Sequence, residues 1–536
     1  MRDKMANWTS RDDAMVEDAI RRGANRRELL KMMLMGGVAL TAGTAILGRA
    51  GAAFAATPVK GGHLKVAGFS ASTADTLDPA KASNATDYSR ICALYNRLTF
   101  IDGSGQTVME LADSIESTDA KVWTVKLRKG VTFHEGQSLT AKDVAYSLMR
   151  HLDPAVGSKV NALAKQFEGV KAVDDLTAEI TLVAPNADLP TILALHHFMI
   201  VADGTSDFSK GNGTGPFLLK EFQPGVRSIM TRNDNYWKGT GPYVDTFEFF
   251  AISDESARLN AVLSGDIHVG ANLNPRSMRI IEGNSAVAPF VSKLGTYTNL
   301  NIRLDMAPGD KAGVVEGFKY LVNRETIQKS VLRGLAEIAN DQPVPSWNPY
   351  FNAELKQREF DPERAKSLFQ KAGILGQDIH MVASEAASSS LDYAAVIQQA
   401  AGKIGLNIVI DRVPSDGFWS NNWLKDAVGF GNINARPTPD IMFSLLYQSD
   451  AAWNESRFKS PKFDAMLLEA RGMLDQAKRK EIYGQMQAMV SNEAGTVIPA
   501  FQSNLDGVSP KLKGLVANPL GGMMGYTLAE HVWIEA

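Results

Sequence analysis

Between Val122 and Leu127 the chain alternates residue by residue. Trp123, Val125 and Leu127 fall on one side, and Thr124 and Lys126 on the other. A period of two predicts a half-buried strand. Phe133-His134-Glu135-Gly136 then turns the chain, and Thr140-Ala141-Lys142-Asp143 resembles a capping box with Asp in the third position. It opens a helix predicted to run to about Leu152. Upstream, Gly61-Gly62 feeds a strand over 63–67. Downstream, Asp361-Pro362-Glu363 supplies a cap and a first-turn proline for a helix that stops at Ala372-Gly373. A helix is predicted from Tyr393 to Ile404, followed by a strand from Asn407 to Val413. Two amphipathic helices are predicted between Pro461 and Met489. The 393–413 pair reads as α/β, whereas 96–250 and 500–536 are rich in strands and turns. Mixed α/β elements without a long linker predict lobes built by chain crossings, with a cleft between them.

The first 55 residues read as an address. A charged stretch ends in Asn25-Arg26-Arg27-Glu28-Leu29-Leu30-Lys31. The apolar run Met32–Leu47 follows, then Ala53-Phe54-Ala55, a small-x-small cleavage pattern. The run is shorter than the roughly 20 residues of a membrane span. The paired arginines ahead of it resemble a twin-arginine signal, with the general secretory route as the rival reading. Cleavage is expected near Ala56 or Thr57, leaving an exported protein.

Charge and composition narrow the function. Residues 1–55 hold nine Lys/Arg and six Asp/Glu, so their removal takes the net charge from −3 to −6. The basic footprint of a nucleic-acid binder is missing. The single cysteine, Cys92, excludes an internal disulfide and a multi-cysteine zinc site. It lies in an apolar helical stretch, which suits a core residue better than a nucleophile. Gly211-Asn212-Gly213-Thr214-Gly215 leads into Pro216-Phe217-Leu218 and a strand. It therefore lacks the helix start of a phosphate loop and reads as a tight turn at a lobe junction. No nucleophile elbow or paired-histidine zinc motif occurs, and His134, His196 and His197 are expected to be structural. No metal or other cofactor is called for.

Candidate ligand contacts cluster late in the chain. Trp419, Trp423 and Tyr447 can wall a pocket while offering a polar edge. Between them lies Asn434-Ala435-Arg436-Pro437-Thr438-Pro439-Asp440. Arg436 can grip a carboxylate or phosphate, Asp440 can meet an ammonium, and Asn434 can hydrogen-bond.

Several segments together resemble the extracellular solute-binding protein family 5, the dipeptide-, oligopeptide- and nickel-binding components of ABC importers. They are Gly61–Val66 with Thr76-Leu77-Asp78-Pro79, Trp123–Gly136 running on to Val144, and Gly213–Phe217 with Arg232-Asn233 and Tyr236-Trp237. Leu259–Ile267 and Asn323-Arg324-Glu325 follow. The resemblance implies an α/β, two-lobed periplasmic binding protein with an additional strand-rich subdomain in lobe I. Lobe I would be 56–295 with a C-terminal return over 500–536, and lobe II would be 296–499. It also implies that Ser72 and Thr73, after the first strand, and Trp347 with Asn348 face the cleft. The aspartate with which peptide-binding members meet an amino terminus would fall at about Ala435. The arginine of dipeptide-binding members would fall near Ser384. Both are missing, and Arg436 points instead to an anionic solute. The implied function is capture of a peptide or peptide-like polar solute by a monomer. The solute would be handed to ABC permease subunits driven by a separate ATPase. An exported hydrolase with an unrecognised site, and a sensory binding protein, are the alternatives.

Overall fold

The computed structural model describes residues 58–535. The predicted leader lies outside the described residues. Among those described, no helix is long and apolar enough to cross a membrane.

The first half of the chain runs β1 (His63–Gly68), α1 (Ala85–Leu94), β2 (Thr99–Ile101), β3 (Thr107–Met109), β4 (Ala112–Glu116), β5 (Val122–Leu127), α2 (Ala141–Met149), β6 (Phe167–Asp174), β7 (Thr177–Leu182), β8 (Phe217–Gln223), β9 (Arg227–Arg232), β10 (Thr246–Ala251), α3 (Glu255–Leu263) and β11 (Val269–Gly270). Strands β4 to β7 form their own antiparallel sheet in the order β4-β5-β7-β6. This is the strand-rich subdomain. The alternation in β5 buries Trp123, Val125 and Leu127 in its core. The capping box forms: the Asp143 carboxylate accepts from Thr140 N (2.7 Å) and from Thr140 Oγ1 (2.8 Å). The α-helix stops at Met149 and continues to Leu152 only as a 3₁₀ turn, because Asp153 is extended and Pro154 follows.

The glycine loop 211–215 is not a junction between lobes. It seats the subdomain on α1: His134 Nε2 donates to Gly215 O (3.0 Å), and its Nδ1 accepts from Gly213 N (3.3 Å). A Cβ on Gly215 would stand 2.4 Å from the Leu94 carbonyl carbon, so only glycine fits there.

The second half runs β12 (Ala288–Ile302), α4 (Val314–Leu321), β13 (Ala336–Ile338), α5 (Pro362–Lys371), β14 (Asp378–Ala383), α6 (Ser390–Lys403), β15 (Asn407–Arg412), β16 (Val428–Ile433), α7 (Pro439–Leu446), α8 (Pro461–Gly472), α9 (Gln476–Glu493), β17 (Thr496–Val497) and β18 (Ala500–Val508). One sheet spans both halves in the order β15-β14-β16-β12-β18-β11-β1-β10-β9-β8. Its middle is the long strand β12. Residues 288–293 pair with β18 and residues 297–302 pair with β16, with a register break between Lys293 and Thr296. Gly295 sits in that break. A Cβ there would stand 2.7 Å from Pro345 and 3.2 Å from Ala435.

Separate apolar cores lie on either side of this crossing. One packs α1 and β1 with the C-terminal residues 512–532. Others pack α4 to α6 against β14–β16, and α7 to α9 against Tyr297 and Phe501. Cys92 belongs to the first, and burial pushes its thiol up to about 12. The architecture is α/β and two-lobed.

Candidate functional site between the two halves

Arg436 leaves the end of β16 in a loop that Pro437 and Pro439 stiffen, and Thr438 caps α7 by accepting from Ile441 N (3.3 Å). Its guanidinium donates long bonds to Asn434 O (3.3 Å) and Ala435 O (3.4 Å). Among the described residues no carboxylate lies against it. Burial pushes its pKa down, and the nearby hydroxyls of Tyr297 and Tyr88 oppose that shift. Tyr297 lies in β12 and Tyr88 in α1.

Tyr88 stacks on His196 at 5.0 Å between ring centroids and meets Tyr526 at 5.4 Å. Burial holds His196 well below its usual range, so it stays neutral. Tyr526 ends a left-handed stretch of backbone: Met523 at φ 51°, Met524 at φ 59°, Gly525 at φ 64° and Tyr526 at φ 70°. Such non-glycine residues cost on the order of 1 kcal/mol each and persist only where the surroundings over-determine them. Here the buried Asp506 of β18 accepts from Met523 N (2.7 Å), Asn272 N (2.8 Å) and Asn504 Nδ2 (2.7 Å). Both methionines are buried in the core beneath.

A second crossing is closed by charge. Asp188, from the subdomain, accepts from Arg479 of α9 at 2.6 Å, and each side chain is only 3% exposed. Arg479 also donates to Tyr350 OH (2.9 Å) and Ala470 O (3.0 Å). Ala187 N donates to Arg471 O (2.8 Å), and Ile441 packs on the subdomain core. Beside this contact a cavity of about 520 Å³ is lined by Gln166 and Asn186 on one side and by Ile441 and Ser444 on the other. Another, of about 460 Å³, opens between Phe69, Arg258 and Asn272 on one side and Leu332, Ser388 and Asp392 on the other.

The sequence model of the bacterial extracellular solute-binding proteins, family 5, matches residues 106–454. The chain belongs to this family. Its relatives include the dipeptide-binding protein of Escherichia coli, 28% identical over 474 residues, covering 80% of this chain and 87% of that protein. Heme-binding protein A of Haemophilus influenzae is 27% identical over 490 residues, covering 83% and 88%. The structure of HbpA2 from Haemophilus parasuis superposes with a TM-score of 0.80 at 23% identity, covering 89% of this chain and all of that one.

Within this family fold the sequence candidates separate. Trp347 sits against the turn at Gly105 in the first half and donates to Leu294 O of β12 (2.7 Å); Asn348 donates to Pro437 O (3.1 Å), beside Arg436. Asn434 is exposed next to Arg436. Asp440 is committed to Arg471 (3.0 Å), and burial raises its pKa to about 6, so it is not free to meet an ammonium. Tyr447 is buried in the core, with burial raising its pKa. Ser72 and Thr73 are exposed in a loop that packs on Gly225, between β8 and β9.

The tryptophans form a chain rather than a shared wall with Arg436. Trp419 meets Trp423 at 5.5 Å, and Trp423 meets Trp453 at 5.4 Å. Trp423 bridges two apolar cores and donates to Glu455 (2.6 Å). Glu455 also accepts from Asn299 of β12 (2.8 Å), and burial raises its pKa to about 7.

Sequence reading missed Tyr88, His196, Tyr526, Asp188 and Arg479. Tyr88 and the histidines sit in runs that read as core. Asp188-Leu189-Pro190 carries an ordinary helix-start signal, which conceals a charge that reaches 291 positions along the chain.

Proposed function

We propose that this solute-binding protein captures an anionic, peptide-like solute between its lobes and passes it unchanged to the membrane subunits of an ABC importer. ATP is hydrolysed by a separate subunit. Lobe I is 56–295 with 500–536, and lobe II is 296–499. The register break of β12 at Lys293/Thr296 and the entry of β18 at Ala500 support these boundaries. The protein works as a monomer in the periplasm after loss of a twin-arginine leader.

The observation that carries the reading is Arg436, half-buried, with no carboxylate partner among the described residues and only two long bonds to its own loop. A buried charge without a partner is costly, so a ligand that supplies the opposite charge gains correspondingly. The peptide class is supported by the dipeptide-binding relative from Escherichia coli. Closure requires the solute to favour the closed state by its differential affinity.

The test is native mass spectrometry of the purified mature protein, followed by a thermal-shift screen of peptides and acidic amino-acid derivatives. Saturation at 100-fold over Kd stabilises by about 2.7 kcal/mol, a readily visible shift. An intact acidic solute that raises Tm supports the reading. A solute recovered cleaved, or a strictly cationic ligand, overturns it.

A further inference from the structure

The inference rests on the two-lobe reading above and concerns how the lobes part. The strand-rich subdomain of lobe I meets lobe II over a small area. Among the described residues two hydrogen bonds cross the contact: Arg479 donates to Asp188 (2.6 Å), and Ala187 N donates to Arg471 O (2.8 Å). Ile441 is the one lobe II side chain packed on the subdomain core among the described residues, and the cavity of about 520 Å³ opens beside it. The apolar cores on the two sides stay separate.

Each face is complete without the other. On lobe II, Arg479 also donates to Ala470 O (3.0 Å), Tyr350 OH (2.9 Å) and Tyr483 OH (3.3 Å), and it lies over the rings of Tyr350 and Tyr483 at 5.1 and 5.4 Å. Arg471 spends its side chain on Asp440 (3.0 Å) and Ser444 (2.7 Å). On the subdomain, Asn186 donates to Gln166 (3.0 Å) and accepts from Asp188 N (2.9 Å). Asp188 offers Arg479 one carboxylate oxygen, and the other has no partner among the described residues. Parting the faces leaves the guanidinium among its phenols and returns the carboxylate to water. The attraction within a buried pair is largely offset by the cost of desolvating both charges, so such a contact can form and break.

The contact also lies far from the strands that join the lobes. α9 runs from Gln476 to Glu493 and leads into β17, which pairs with β12 at Leu300 and Asn301. At about 1.5 Å per residue, Arg479 stands about 20 Å before the end of that helix. Turning lobe II by about 10° about the crossing strands would carry Arg479 some 3.5 Å on an arm of about 20 Å. That is more than the 2.6 Å bond it makes to Asp188.

We infer that the Asp188–Arg479 contact is a latch. It holds the lobes shut at the end remote from the crossing strands, and it opens while both lobes stay folded. Asp188 and Arg479 are positioning residues that act on the solute through closure.

The experiment is residue-level hydrogen exchange on the mature protein, dialysed free of small molecules. The Ala187 amide bonds across the contact, whereas β5 is paired on both sides, with β4 and β7, inside the subdomain. Ala187 should exchange roughly tenfold or more faster than the β5 amides, because the contact opens without unfolding the subdomain. Asp188→Asn should speed Ala187 roughly fivefold further and leave β5 unchanged. A cross-link supplies the converse. Cys92 is buried, and a Cβ on Gly472 would stand 3.3 Å from Pro185 Cβ, near the spacing of a disulfide. The Pro185→Cys, Gly472→Cys protein, once oxidised, should slow Ala187 roughly tenfold, and reduction should reverse this. Ala187 as slow as β5 in the parent, Asp188→Asn speeding β5 as much as Ala187, or a cross-link that leaves Ala187 unchanged each overturns the latch. These results leave capture intact. Capture falls separately, if native mass spectrometry finds the solute cleaved.

Discussion

Two arginines of the second half end differently. Arg479 finishes on Asp188, sealed at 3% exposure, with Tyr350 and Ala470 taking its remaining donors. Arg436 finishes on two stretched bonds to its own loop, with no carboxylate against it among the described residues. The first charge has its counter-ion inside the protein and so serves the fold. The second has none among the described residues, which is why we propose it for the solute. Burial alone does not separate the two roles; the presence of an internal counter-charge does.

The sharpest way to break this contrast is to remove one member of the sealed pair. Asp188→Ala leaves Arg479 buried without its counter-ion and should cost about 3–5 kcal/mol in urea unfolding. A loss under 1 kcal/mol would put the pair among exposed surface bridges. Glu455→Gln comes next. The folded-state pKa of Glu455 is raised to about 7, so between roughly pH 4.5 and 7 the folded chain binds more protons than the unfolded one. Stability therefore falls as pH climbs through that window and stays reduced above it. The variant should flatten this decline and gain on the order of 3 kcal/mol at pH 8, read as Tm against pH. A pH profile identical to that of the parent would show that Glu455 is not the titrating group.

Gly295→Ala probes the crossing itself. Its Cβ meets Pro345 at 2.7 Å, so overpacking should cost about 1–3 kcal/mol, measured by denaturant midpoint. Full stability would mean that the register break has slack. The smallest expected effect is that of Arg436→Gln on stability. Removing a charge without an internal partner should change the unfolding free energy by no more than about 0.5 kcal/mol, or raise it. A loss like that of Asp188→Ala would erase the contrast.

Much of the fold was legible because it rests on local signals. The alternation at Trp123–Leu127, the box at Thr140/Asp143 and the Asp361-Pro362 start each act within a few residues, and each formed. The candidate site was legible only where chemistry stood out against its neighbours. Arg436 was visible as a charge amid prolines. Trp423, equally conspicuous, is held in a core by Glu455, a partner 32 positions away that the sequence does not advertise. The left-handed turn at Met523–Tyr526 carries no local signal except Gly525. It is imposed from β18 through Asp506, a contact set by the tertiary fold.

The most direct measurement is the affinity of the solute identified by native mass spectrometry for the mature protein and for its Arg436→Glu variant, taken side by side by calorimetry. Reversing the charge is expected to weaken binding at least a hundredfold with the fold intact by circular dichroism. Equal affinity in the two proteins would contradict the claim that this arginine holds the solute.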